Sequence, residues 1–161
     1  MQALVKAFEI EELKQVSTVL ASGNLLFQSD LPAVELKELL RATLEKRFNF
    51  KSEIFLLTIE QIASILKENP LKQNADFHSY VVISEQTGEW LLNEVLPLEL
   101  LPGELLKISS GVLYWQVSKN STTDSNVSKA LARRALKPRT TVRNFNTVEK
   151  IYQKLNSILP S

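Results

Sequence analysis

Val16-Ser17-Thr18-Val19-Leu20-Ala21-Ser22-Gly23-Asn24-Leu25-Leu26-Phe27-Gln28 decides the fold class. β-Branched and apolar residues fill 16–21 and 25–28, and Ser22-Gly23-Asn24 between them is a turn signal, so the stretch predicts an antiparallel hairpin. Upstream, residues 1–13 predict an amphipathic helix with Met1, Leu4, Val5 and Phe8 on one face and Glu9, Glu11 and Glu12 off it. Downstream, Asp30 is expected to cap a helix with Pro32 in its first turn. This helix runs to about Phe48 with Val34, Leu36, Leu39, Leu40 and Leu44 on its apolar side. Glu53–Leu57 predicts a strand, and Thr58 with Gln61 forms a capping-box pair for a short helix carrying Ile62, Ile65 and Leu66. Asn69-Pro70 stops it.

The polar residues 71–76 suggest a boundary. Beyond them come a strand at Phe77–Ser84, a short helix at Glu89–Val95, and a hairpin of Leu105–Ile108 and Val112–Val117 around Ser109-Ser110-Gly111. Residues 125–136 predict a helix that Pro138 ends, and the last helix, about 147–158, has Asn146 as its expected N-cap. Helices mixed with antiparallel hairpins indicate an α+β fold. The expected organisation is a ferredoxin-like, split βαβ first half at residues 1–70, lacking that unit's first strand, and a second, smaller α+β subdomain at 71–161, both with antiparallel sheets.

At 161 residues the chain can bury a sizeable core, roughly 70% of its unfolded surface. It has no cysteine and a single histidine, His78, which excludes disulfides, thiolate metal sites and histidine-rich metal centres. There is no apolar run of membrane-spanning length and no basic region leading into a long apolar stretch, so a cytoplasmic protein without membrane association is expected. The net charge of +1 hides an asymmetry. Lys129, Arg133, Arg134, Lys137, Arg139 and Arg143 lie between Ser125 and Val148, and all 18 acidic residues lie elsewhere. Such a basic stretch attracts anions, with nucleic acid and small anionic ligands as the partner classes.

Lys129, Arg133 and Lys137 recur at i, i+4 and i+8, which makes one stripe if the helix is continuous; like charges at that spacing repel unless carboxylates or an anionic partner offset them. Thr140-Thr141-Val142-Arg143-Asn144-Phe145-Asn146-Thr147 leads into the last helix. It reads first as strand, turn and cap residues, and alternatively as an anion site in which Arg139 and Arg143 add bidentate contacts to a helix N-terminus. The candidate ligand-binding set is Ser22, Gly23, Asn24, Ser125, Lys129, Arg133, Lys137, Arg139, Thr141, Arg143, Asn144 and Asn146. Ser22–Asn24 is most simply a turn, and its functional reading places a pocket beside it and Arg143. Tyr114 and Trp115 alternate on a strand, so an exposed one would be free to stack on a base. There is no glycine-rich phosphate loop, metal-ligand spacing or nucleophile elbow. No cofactor and no catalytic residue is therefore assigned. An enzyme acting on a phosphorylated or carboxylated small molecule at 140–147, and a purely structural protein, are the alternatives to a binding protein.

Three segments resemble the bacterial family called domain of unknown function 1697. They are Thr18–Phe27; Asn69-Pro70-Leu71; and a closing set of Leu113-Tyr114, Ser125 and Thr140–Val148. Family members usually carry tryptophan where Phe145 stands. They also usually begin with a strand ending in an arginine–glycine–isoleucine–asparagine–valine–glycine–glycine stretch, which this sequence lacks. Met1 corresponds to a methionine inside the family's first helix. The resemblance thus implies a sheet with unpaired edges and, where nothing upstream fills the gap, self-association through an edge.

Overall fold

In the first hairpin, β1 (Lys14–Val19) and β2 (Asn24–Gln28) pair antiparallel, from Lys14 opposite Gln28 to Val19 opposite Asn24. The computed structural model describes residues 2–20, 23–95, 97–133 and 136–159. It divides into two units, residues 1–59 with 149–161, and residues 60–148. The expected boundary at 70/71 falls inside the second unit, which is the larger one.

In the first unit the hairpin lies between α1 (Gln2–Ala7) and α2 (Ala33–Phe48). Phe8, Leu13, Leu36 and Leu40 form its buried centre, with Val16, Leu25, Ile54 and Leu56 packed against it. The first helix is shorter than the sequence predicts. Phe8 N–H donates to both Leu4 and Val5 carbonyls, and the chain then turns so that Leu13 reaches the same core as Phe8. Asp30 does not cap α2. The residue preceding that helix is Pro32, which makes no side-chain cap bond, and the Asp30 carboxylate pairs with Lys14 instead. Residues 51–58 form no helix or strand, against the expected strand at Glu53–Leu57. Ile54 and Leu56 alternate into the core as a strand would place them, but a strand also needs a hydrogen-bonded neighbour. Among the described residues the sheet of this unit is β1 and β2 alone. The mixed α+β class with antiparallel sheets holds, whereas the element order does not establish a ferredoxin-like split βαβ arrangement.

The second unit starts with α3 (Ile59–Lys67, from Glu60) and is built on β3 (Phe77–Ser84), α4 (Gly88–Val95), β4 (Leu105–Ser109), β5 (Val112–Ser118), α5 (Asn126–Leu131), a 3-10 turn at Lys137–Arg139 and β6 (Thr140–Asn144). Its four strands lie in the order β4-β5-β3-β6, all antiparallel. Direct cross-strand partners share a face. Tyr80, Val82, Leu113, Trp115 and Val142 therefore point one way, into a core shared with Leu91 and Val95 of α4, Val127, Ala130 and Leu131 of α5, and Leu136. Val81, Tyr114 and Arg143 point the other way. There Tyr114, 1% exposed, donates its hydroxyl to the Ile65 carbonyl of α3 at 2.7 Å. Burial, then the charge of Glu68, pushes its pKa up to about 12.

The hairpin of β4 and β5 closes tightly on α4: a Cβ at Gly88 would run into the Gly111 carbonyl. The helix expected over 125–136 is only α5. Continuing its periodicity would bring Arg134 onto the face of Val127 and Leu131 and turn Leu136 outward. Stopping at Leu131 lets Leu136 join the core. The last helix, α6 (Phe145–Ile158), begins in this unit and is otherwise counted with the first.

Candidate functional site

The basic stretch is not one helical stripe: Lys129 lies in α5, which ends at Leu131, and Lys137–Arg139 form a 3-10 turn. Arg133 N–H donates to the Ala130 carbonyl, and the Arg133 carbonyl accepts from Leu136 and Lys137. Lys129, Arg133, Lys137 and Arg139 are exposed. Among the described residues none of the four meets a carboxylate at ion-pair distance. Arg134 lies outside the described residues.

Arg143 behaves differently. It is half-buried and its Nη1 donates to Thr141 Oγ1 at 2.8 Å and to the Val142 carbonyl at 2.9 Å, so it braces its own strand. Burial pushes its pKa down from the ordinary arginine value. Thr141 serves as one of its acceptors.

Ser125 is fully buried. Its hydroxyl accepts from the Val127 and Ser128 amides as the cap of α5 and donates to Glu104 Oε1. Glu104, 4% exposed, also accepts from Trp115 Nε1 at 2.8 Å and from the Leu101 amide at 2.8 Å. Ser125 thus belongs to a buried polar knot that ties the turn before β4 to β5 and α5. Sequence reasoning missed Glu104, because its partners lie on three separate segments.

Gly23 takes φ +78 in the first hairpin turn, and Asn24 Nδ2 donates to the Val19 carbonyl at 3.0 Å, closing that turn. Ser22 lies outside the described residues. Gly23 and Asn24 belong to the first unit and Arg143 to the second. Tyr114 and Trp115, 1% and 2% exposed, are both core residues, so neither offers a stacking surface.

The closing segment runs from β6 straight into α6. Asn144 pairs with Tyr80 as the last strand residue, and its Oδ1 accepts the Asn146 amide at 3.0 Å. The cap of the last helix is therefore Asn144 rather than Asn146, which is exposed in the first turn. Both asparagines line a cleft of about 370 Å³ together with His78, Ser79 and Lys119. Arg143 does not line it. Lys119 arrives through the pairing of β3 with β5, which sets Phe77 opposite Ser118 and lets Lys119 N–H donate to the Asp76 carbonyl. His78 and Lys119 carry no sequence signal as a pair; only the strand register brings them together. Among the described residues no helix is long and apolar enough to cross a membrane, and no group of three or more histidines, aspartates or glutamates is placed to hold a metal ion.

A family model described as "Protein of unknown function (DUF1697)" matches residues 1–114. Among solved structures the fold is similar to that of the conserved bacterial protein SP0830 from Streptococcus pneumoniae, with a TM-score of 0.76 and 24% identity over 96% of this chain and 86% of that one. No match is found among curated proteins.

Proposed function

We propose, for a chain that belongs to the DUF1697 family of proteins of unknown function, that it is a non-catalytic, cytoplasmic binding protein whose exposed basic segment engages an anionic partner, with the phosphate backbone of nucleic acid as the class that fits. The observation that carries this reading is the set of four exposed cations, Lys129, Arg133, Lys137 and Arg139, with no carboxylate partner among the described residues. Side chains held apart from carboxylates remain available to displace the counterions of a phosphate chain. With Tyr114 and Trp115 inside the core, the contact is electrostatic and shows little preference for sequence. A catalytic reading of 140–147 draws less support, because Arg143 is bonded to its own strand and Asn144 caps α6.

The test is fluorescence anisotropy with a labelled 20-base-pair duplex across a salt series. Four phosphate contacts give a log–log slope of about −3 to −4. Replacing all four cations by glutamine should flatten it. A flat response in the wild type, or no binding at low salt, removes the reading.

A further inference from the structure

We propose that the first unit carries a docking slot for a single β-strand of a partner protein, bounded by the outer edge of β2 and by residues 54–57. Backbone amides and carbonyls drawn out of water are almost always paired. Two sets in this unit are not. Residues 54–57 are half-buried and make no backbone hydrogen bond among the described residues. In β2 the groups directed at β1 enter the ladder, and every second residue turns its N–H and carbonyl the other way. From Leu25 to Gln28 those outward groups also meet no partner among the described residues. Leu25, Phe27, Ile54 and Leu56 all pack against the cluster that holds Phe8, Leu36 and Leu40, so the two segments belong to one layer. One extended strand laid between them would complete a ladder on each side.

A comparison of the sheet edges supports this independently. Strand edges are commonly guarded by cations. Lys154 Nζ donates to the Thr18 carbonyl of β1 at 2.8 Å. β4 carries exposed Lys107 at its centre, and β6 carries Arg143, bonded to its own strand. β2 has neither a charge nor a proline. Its Leu26, 4% exposed, lies on the face opposite Leu25 and Phe27, so β2 is apolar on both faces, the pattern of a strand inside a sheet rather than at its margin. Ile54–Leu57 is uncharged as well. Two uncharged walls fit an uncharged, apolar strand, and that strand must have both of its own edges free. The strands β1 to β6 of a second copy are already paired, which favours an extended segment of a different protein as the occupant. The slot lies in the first unit and the basic segment in the second, so the proposal does not rest on nucleic-acid binding.

The experiment is amide hydrogen exchange followed by NMR on the full chain. The probe is a synthetic peptide with a core of alternating valine and isoleucine between lysine ends. In the free protein the amides of 54–57 are expected to exchange as unbonded groups. Saturating peptide should slow every second amide in 25–28 and in 54–57 by about tenfold, the scale of one hydrogen bond. Two methylated forms of the peptide test the two walls separately. Methylating the odd or the even core nitrogens removes the donors of one edge or the other, and each form should bind about tenfold more weakly than the parent. The proposal is overturned if the parent peptide slows none of these amides, or if only one methylated form is weakened, which marks a single edge rather than a slot. It is overturned equally if the amides of 54–57 are protected without peptide in a way that fades on dilution, since a second copy then fills the place.

Discussion

Among the described residues, surface ion pairs lie in the first unit and not along the basic segment of the second. In the first unit cations meet acids on the surface: Lys14 with Asp30 at 3.2 Å, Arg41 with Glu38 at 2.7 Å and Glu53 at 3.5 Å, and Lys51 with Glu45 at 3.5 Å. In the second unit the basic segment from Lys129 to Arg139 has no such partners among the described residues, while the acid Glu104 is buried and held by neutral donors. Exposed pairs contribute little to stability, a median of about 0–1 kcal/mol. What the pairs change is availability, because a cation beside a carboxylate is already partly neutralised. The contrast is between a unit in which some surface cations are paired with acids and a basic segment in which, among the described residues, Lys129, Arg133, Lys137 and Arg139 are not.

The sharpest way to break this contrast is at Glu104. Replacing it with alanine leaves the Trp115 indole N–H, the Ser125 hydroxyl and the Leu101 amide without their acceptor in a buried site. A loss of about 3 kcal/mol in urea unfolding is expected. A loss below about 1 kcal/mol would show that the knot is not what holds the turn before β4. Gly88→Ala comes next. The added methyl group meets the Gly111 carbonyl, and the hairpin must shift, for about 1–3 kcal/mol by thermal denaturation.

Tyr114→Phe removes the bond to Ile65, for about 1 kcal/mol at neutral pH. It should also remove a pH dependence. The folded-state pKa of about 12 lies above the ordinary 10.0, so the folded state holds this proton more tightly than the unfolded one. That stabilisation is complete below pH 10 and is lost as the pH rises towards 12. The wild type should lose more stability than Tyr114→Phe across that window, and parallel pH curves for the two proteins would contradict the burial of this hydroxyl. Smallest is Arg41→Ala, which disrupts two exposed pairs of the first unit and should cost less than about 1 kcal/mol.

Much of the second unit is legible in the sequence. Phe77–Ser84 is β3 end to end, and the second hairpin falls where the turn at Ser109-Ser110-Gly111 puts it. These elements announce themselves through local alternation and turn chemistry. Glu53–Leu57 has the same alternation and is not a strand, because pairing is a property of two segments and a pattern shows only one. The helix after Ser125 looks long because its capping signal is strong, yet it stops at Leu131, and Leu136 joins the core. The candidate site was half legible. Asn144 and Asn146 stand in the segment that the sequence singles out, whereas His78 and Lys119 reach them through pairings across the sheet, with no shared motif to link them.

Strand β6 passes into α6 with no residue between them, and Asn144 is at once a sheet partner, a helix cap and part of the cleft wall. The joint has no play. One residue inserted after Asn144 would rotate the helix by about 100° relative to the strand and swing Phe145 and Val148 away from their buried positions. A cleft built on such a joint inherits its geometry from the register of the sheet.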